Sequence, residues 1–400
     1  MRRLGKGRAA IAATLAVAGA MFVAPAAEAA VVTQTPLVGY QPNNTVRDMI
    51  VVGNTAYIGG SFTALTPAGG GTAVTRNHVA AINMTTGALL PWNPNVNGTV
   101  YTILPAGNNV YLGGSFTTVG GVTYKNIAEV NNTNGALITA FANTSRPNKA
   151  VRAMVIANGN LYIGGAFTRP RNYMAELNAT TNTYIPTWAP VVDAEVRALA
   201  TDTSQTRIVE GGFQQCPTGS GCDGRIGIGA VNTTDGAFVP FAYHGPPTFI
   251  PPPGFPYRPF QVIQMTQDGN TLFASGTGNG GTALSLNMED GTLNWQAGFN
   301  GNVVGIGVTD GVVYAGGHYS TYCGPVPGNN FFCDGRPGSA ARSKLAAFDE
   351  TTGALETWAP TVNTALGIEA VGADLGRVAV GGEFTRISGV NVNHFARFQE

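Results

Sequence analysis

One pattern recurs along the chain from residue 46 to its end, and it restricts the fold more than any other feature. An apolar strand, Val46-Arg47-Asp48-Met49-Ile50-Val51, leads through a turn at Gly53-Asn54 to a second strand, Ala56-Tyr57-Ile58. That strand ends in Gly59-Gly60 and is followed by Phe62. After a variable loop comes Val79-Ala80-Ala81-Ile82-Asn83, then a turn at Thr85-Thr86-Gly87 and a short fourth stretch carrying Trp92 and Pro94. Further copies start at Val100, Val151, Val196, Val262, Val303 and near Ile368. The period of roughly 50 residues lies near those of kelch and WD40 repeats, in which each copy is a four-stranded sheet that cannot bury its faces alone. The expected fold is therefore all-β: a seven-bladed β-propeller with four-stranded blades.

The recurring positions have structural reasons. A glycine pair ending the second strand lets backbones approach closely, and decays to Ser275-Gly276 only in the fifth copy. The fourth-stretch aromatics are Tyr40, Trp92, Phe141, Trp188, Phe241, Trp295 and Trp358, which fit packing between blades better than ligand stacking. The last copy stops at its third strand, Phe395-Ala396-Arg397-Phe398, while residues 37–43 match residues 89–95. An N-terminal strand completing the last blade would close the ring and protect its edges.

The phrases Tyr111-Leu112-Gly113-Gly114-Ser115-Phe116-Thr117 and Leu345-Ala346-Ala347-Phe348-Asp349, with Thr352-Gly353-Ala354-Leu355 after the latter, resemble those of the delta-60 repeat propellers. These are a secreted bacterial family, kelch-like in layout. The resemblance implies the fold over residues 31–400 and says little of function, since a propeller is a scaffold for many activities.

Residues 1–30 read as a signal peptide. Arg2, Arg3, Lys6 and Arg8 precede an apolar run over residues 9–23, and Ala27-Glu28-Ala29 offers a cleavage site near Ala29 or Ala30. The run is shorter than the roughly 20 residues a membrane span needs, and no span is expected in the mature chain. Secretion to the extracellular space follows. Charged residues are 11% of the chain and balance to zero net charge, without a basic stripe, which argues against a nucleic-acid partner. The oligomeric state is not readable.

Long loops concentrate on the face that carries the second-to-third-strand connections, the usual place for binding on a rigid scaffold. Each cysteine pair falls within one loop, so the expected disulfides are Cys216–Cys222 and Cys323–Cys333. Each second cysteine opens a Cys-Asp-Gly-Arg phrase, making Asp223 and Asp334 candidate recognition residues as well as turn formers. Tyr257 and Arg258 belong to a proline-aromatic insertion and are further binding candidates. A third group follows the opening residue of the first strands: Arg47, Tyr101, Arg152, Arg197, Ile263, Val304 and Glu369. The three arginines would make a cationic channel mouth suited to a carboxylate or anionic sugar, with Glu369 beside Arg47 across the ring closure. His78 and His394 are equivalent, and two histidines do not make a metal site.

Catalytic motifs such as G-x-S-x-G or H-E-x-x-H are absent from the sequence, and no cofactor or metal is expected. The expected function is non-catalytic recognition of an extracellular glycan or cell-surface protein through the loop-rich face. The alternatives are an extracellular polysaccharide lyase or hydrolase with its site at the channel mouth, and a structural surface protein.

Overall fold

The computed structural model describes residues 31–141, 146–212, 226–245, 258–278, 280–325, 333, 337–364 and 366–400. All regular structure among them is β. The repeats form antiparallel sheets in up-down order. The first joins Val46–Val52, Thr55–Gly60 and Val79–Asn83, and its neighbour joins Thr99–Ala106, Asn109–Ser115 and Ile127–Asn131. The same order recurs in the sheets that begin at Val151, Ala198, Gln261, Val303 and Gly367. The fourth stretch is short. In most units it touches its sheet at single bridges, such as Ile82 to Leu89 and Val130 to Leu137, but in the fifth it is a full strand, Leu293–Phe299.

The glycine pair explains how the sheets stack. A Cβ on the second glycine would strike the carbonyl entering the same unit: Thr45 O at 2.2 Å from Gly60, Thr99 O at 2.3 Å from Gly114. A Cβ on the first would strike the opening residue of the next unit, as Gly113 against Val151 at 2.9 Å and Gly164 against Val196 at 2.6 Å. Where the pair decays, the Ser275 hydroxyl occupies that place and donates to Val304 O at 2.7 Å. A Cβ on Gly381 of the final sheet would likewise lie 2.6 Å from the Val46 side chain of the first.

Aromatic rings complete each junction. Tyr57 meets Trp92 edge-on at 5.1 Å, Tyr162 meets Trp188 at 4.9 Å and Tyr314 meets Trp358 at 5.2 Å. The indole N–H then reaches across to the next sheet's turn: Trp92 to Asn131 O, Trp188 to Asn232 O and Trp295 to Glu350 O. Trp358 donates instead to Thr33 O, so the N-terminal segment stands beside the last sheet. Leu37 bridges Arg397, donating its N–H to Arg397 O at 2.8 Å.

The seventh aromatic position departs from the sequence expectation. Tyr40 is half-buried and packs against the last-to-first junction, but the donor there is Arg397. Its guanidinium is buried and donates to Met84 O, Thr85 O and Val38 O at 2.6, 2.8 and 2.7 Å. Ala379, paired with Arg397, replaces the second-strand tyrosine and leaves room for it. Gly39 and Gly87 touch here through their backbones, and a Cβ on either would lie 2.7 Å from the other's Cα.

Candidate functional site

The site begins with a backbone irregularity. Six of the first strands carry a register shift at one residue: Arg47, Tyr101, Arg152, Ile263, Val304 or Glu369. In the remaining unit Arg197 precedes the Ala198–Thr201 strand and donates its N–H to Gly211 O. A bulge bends the strand and re-aims the side chain that sits in it. These residues are the ones the sequence placed at the channel mouth, and all seven line one cavity of about 600 Å³ on the axis.

The mouth is a chain of contacts. The Arg152 guanidinium lies 4.4 Å from the Tyr101 ring centre and donates through Nε to Glu195 Oε1. Arg197 Nη2 donates to the other oxygen of Glu195 at 3.2 Å. Arg47 is exposed and donates to the Ser61 hydroxyl. Glu369 faces His318 Nε2 at 3.2 Å, so its partner is on the side away from Arg47. Three arginines against Glu195 leave two positive charges on the side of Arg47, Arg152 and Arg197, and Glu369 places one negative charge on the other.

Below the rim the wall consists of strand edges. Each innermost strand presents unpaired N–H and C=O groups along its free edge. Side chains satisfy two of these N–H groups: Ile103 donates to Asp48 Oδ2 at 2.8 Å, and Ile306 donates to Gln264 Oε1 at 3.0 Å. The Gln264 amide also reaches Val371 O at 3.2 Å. Burial pushes the Asp48 carboxyl from its ordinary 3.8 to about 7, against the N–H bonds from Ile103 and Met49 that pull it down. The channel is also asymmetric. A Cβ on Gly305 would lie 2.7 Å from Val371 N, and one on Gly372 would lie 3.1 Å from the Met49 side chain. The innermost strands of the last two units and the first are thereby drawn together.

Other expected residues lie elsewhere. Arg258 is exposed just before the Gln261–Asp268 strand and does not line the cavity. Tyr257, Asp223, Asp334 and the Cys216–Cys222 pair fall outside the described residues. The Cys323–Cys333 disulfide is present, with its Cα atoms 5.2 Å apart. His78 and His394 hold positive φ before their third strands, and each ring Nδ1 donates to a carbonyl, Gly60 O or Gly382 O. Those roles are structural. Among the described residues no group of three His, Cys, Asp or Glu side chains is placed to hold a metal ion, and no helix is long and apolar enough to cross a membrane.

Sequence reasoning missed two features. Glu195, which couples two arginines, sits one residue before an opening valine and had no motif to mark it. The second has a signal: Asn43, Asn97, Asn148 and Asn300 each stand three residues before an opening valine. Each accepts two N–H groups from the chain 20 and 21 residues on, as Asn97 does from Thr117 and Thr118 at 2.8 Å. These asparagines clasp the loops that surround the mouth.

Comparison with known proteins agrees with this architecture. Residues 376–400 match a family model described as a beta-propeller domain of unknown function, DUF5122. Among solved structures, the RRP9 WD40 repeats superpose with a TM-score of 0.58 at 9% identity, covering 93% of this chain and 99% of that one. The WD40 beta-propeller domain of Doa1 gives 0.51 at 11% identity, covering 91% and 97%. The chain is a β-propeller. A computationally designed protein, Ika8, is similar at a TM-score of 0.51 and 12% identity, covering 91% and 98%. At such identities the likeness shows the fold alone. No curated protein matches the sequence.

Proposed function

We propose that this propeller has seven blades, that residues 37–43 complete the last blade and close the ring, and that the protein is secreted after removal of residues 1–30. The Gly381–Val46 contact, equivalent to those at other junctions, and the Arg397 bonds to Val38 and Met84 support closure. The mature protein is a non-catalytic recognition protein that binds an extracellular glycan at the hairpin-bearing face. One observation carries this reading: the bulge residues Tyr101 and Arg152, with Arg197 just before its strand, line the mouth of a cavity of ligand size.

The test is retention on immobilised polysaccharides, peptidoglycan included, with the supernatant assayed for released sugars. Retention without release, lost in an Arg152→Ala/Arg197→Ala double variant, is the expected result. Failure to bind any glycan overturns it and favours a protein partner or a structural role. The enzymatic reading has one observation in its favour, the Asp48 carboxyl held near neutrality in the channel wall, where a proton-transfer group would be useful. Sugar release that disappears in Asp48→Asn would establish that reading instead.

A further inference from the structure

The rim divides its charges unequally. Glu195 engages both Arg152 and Arg197, but Arg152 is also stacked on Tyr101, while Arg197 is 37% exposed and makes a single side-chain bond, through Nη2. Of the two arginines on Glu195, Arg197 is therefore the one with donors left for a further anionic partner. On the opposite rim Ile263 and Val304 are apolar and Glu369 is engaged by His318.

The wall below is just as uneven. Asp48 and Gln264 occupy the position after the bulge and cap the N–H of the next blade's strand edge. Under Arg152 and Arg197 the equivalent positions are Ala153 and Ala198, whose methyl groups are too short to reach a neighbouring edge. Peptide groups on that side of the channel are thus left for a guest or for water. The glycine-packed strands beginning at Val303 and Gly367 draw together on the other side, and the arginines line the same cavity. The cavity wall runs from Arg47 to Val51 on the first blade, a depth of about 13 Å at roughly 3.3 Å per residue.

We infer that the channel mouth takes a single carboxylate-bearing sugar residue at a glycan chain end, inserted end-on, with its carboxylate on Arg197 and its hydroxyls on the strand edges beside Ala153 and Ala198. This rests on the recognition reading above. It differs from binding a chain laid across the face, which would touch the rim and leave the strand edges of the channel unused. An arginine fork matches a carboxylate, and edge N–H and C=O groups match the mixed donors and acceptors of a sugar.

Calorimetric titration of the protein with glucuronate, glucose, an oligosaccharide ending in glucuronate, and one with glucuronate only at internal positions tests the inference. Glucuronate and the terminal-glucuronate oligosaccharide are expected to bind at least tenfold more tightly than glucose and the internal one. Arg197→Ala and Arg197→Gln should each lose that preference, while Arg377→Ala, at the end of its strand away from the mouth, should keep it; matching thermal unfolding certifies each variant's fold. Binding of the internal-only oligosaccharide without glucuronate binding overturns end-on insertion and leaves the recognition reading standing. Equal affinity for glucose, or a preference that survives both Arg197 variants, overturns the assignment of the subsite. No binding to any of these sugars or to the immobilised polysaccharides overturns both.

Discussion

Asp48→Asn should stabilise this protein, and more so as the pH rises. Asp48 is half-buried in the channel wall, and its carboxyl titrates at about 7 in the folded chain against 3.8 ordinarily, chiefly because burial disfavours its charge. The sign follows from linkage: the unfolded chain releases this proton at lower pH than the folded one does. The contribution of Asp48 is therefore full below pH 3.8, falls as the pH rises towards 7, and is flat above. At about 1.4 kcal/mol per pH unit, the interval gives an upper bound of about 4 kcal/mol. Solvent in the channel screens part of this, so about 1–3 kcal/mol is the expected gain at pH 8. Asparagine keeps an oxygen for the Ile103 N–H, so the bond at 2.8 Å survives the change. Urea unfolding of both proteins at pH 4.5 and pH 8 measures the gap at each pH, and the difference between the gaps cancels every other titration. A gap that does not widen with pH, or that narrows, refutes the argument and means Asp48 is solvated.

Arg397→Ala removes three charge-assisted bonds to backbone carbonyls and should cost about 3 kcal/mol or more, with faster amide exchange at Leu37 and Tyr40. Unchanged exchange at those two amides would show that Arg397 does not hold the N-terminal segment. Asn97→Ala should cost about 1–2 kcal/mol and release the amides of Thr117 and Thr118 to exchange, with little effect at Thr168, whose acceptor is Asn148. Replacing Cys323 and Cys333 by serine opens a short loop, for which chain entropy predicts a loss of about 2–3 kcal/mol; wild-type protein treated with reductant should lose at least as much.

The repeat was readable because each of its positions does one mechanical job in every blade. Gly113 must admit Val151 and Gly164 must admit Val196, and nothing larger than Ser275 stands at the equivalent position of another unit, so the pattern survives in the sequence. The bulge residues were identified by position without the reason for it, since these short strands bury residues on both faces and so hide the phase change that a one-residue shift makes. Partner assignments were harder. Glu369 was expected beside Arg47 because the blades adjoin, and nothing in the repeat marked the imidazole of His318 on the preceding blade as the partner of its carboxylate. The last junction shows the same limit. Tyr40 fits the aromatic pattern, yet the donor that crosses to Met84 is Arg397 on a different strand, an exchange that depends on the small Ala379 opposite. Substitutions that compensate across strands are invisible to a reading that compares one repeat position at a time.

The contrast between fixed and variable positions also bears on where this propeller acts. Val46, Val151 and Val196 are each held by a glycine of the preceding second strand, and Trp92 and Trp188 by a carbonyl of the next blade, so substitution there disturbs two blades at once. The residue in the bulge has no such duty. Its side chain is turned out of the blade toward the channel mouth, and the chain places Arg, Tyr, Ile, Val and Glu there on one unchanged scaffold. Substitutions at Ile263, which faces the mouth and is only half-buried, should then change what the channel binds at little cost in stability. The Asp48 and Gln264 layer below is intermediate, since it both closes strand edges and faces the cavity. Specificity in such a ring is set by the residues that the blade packing leaves free, and the rim between Arg47 and Arg197 is where this chain has concentrated them.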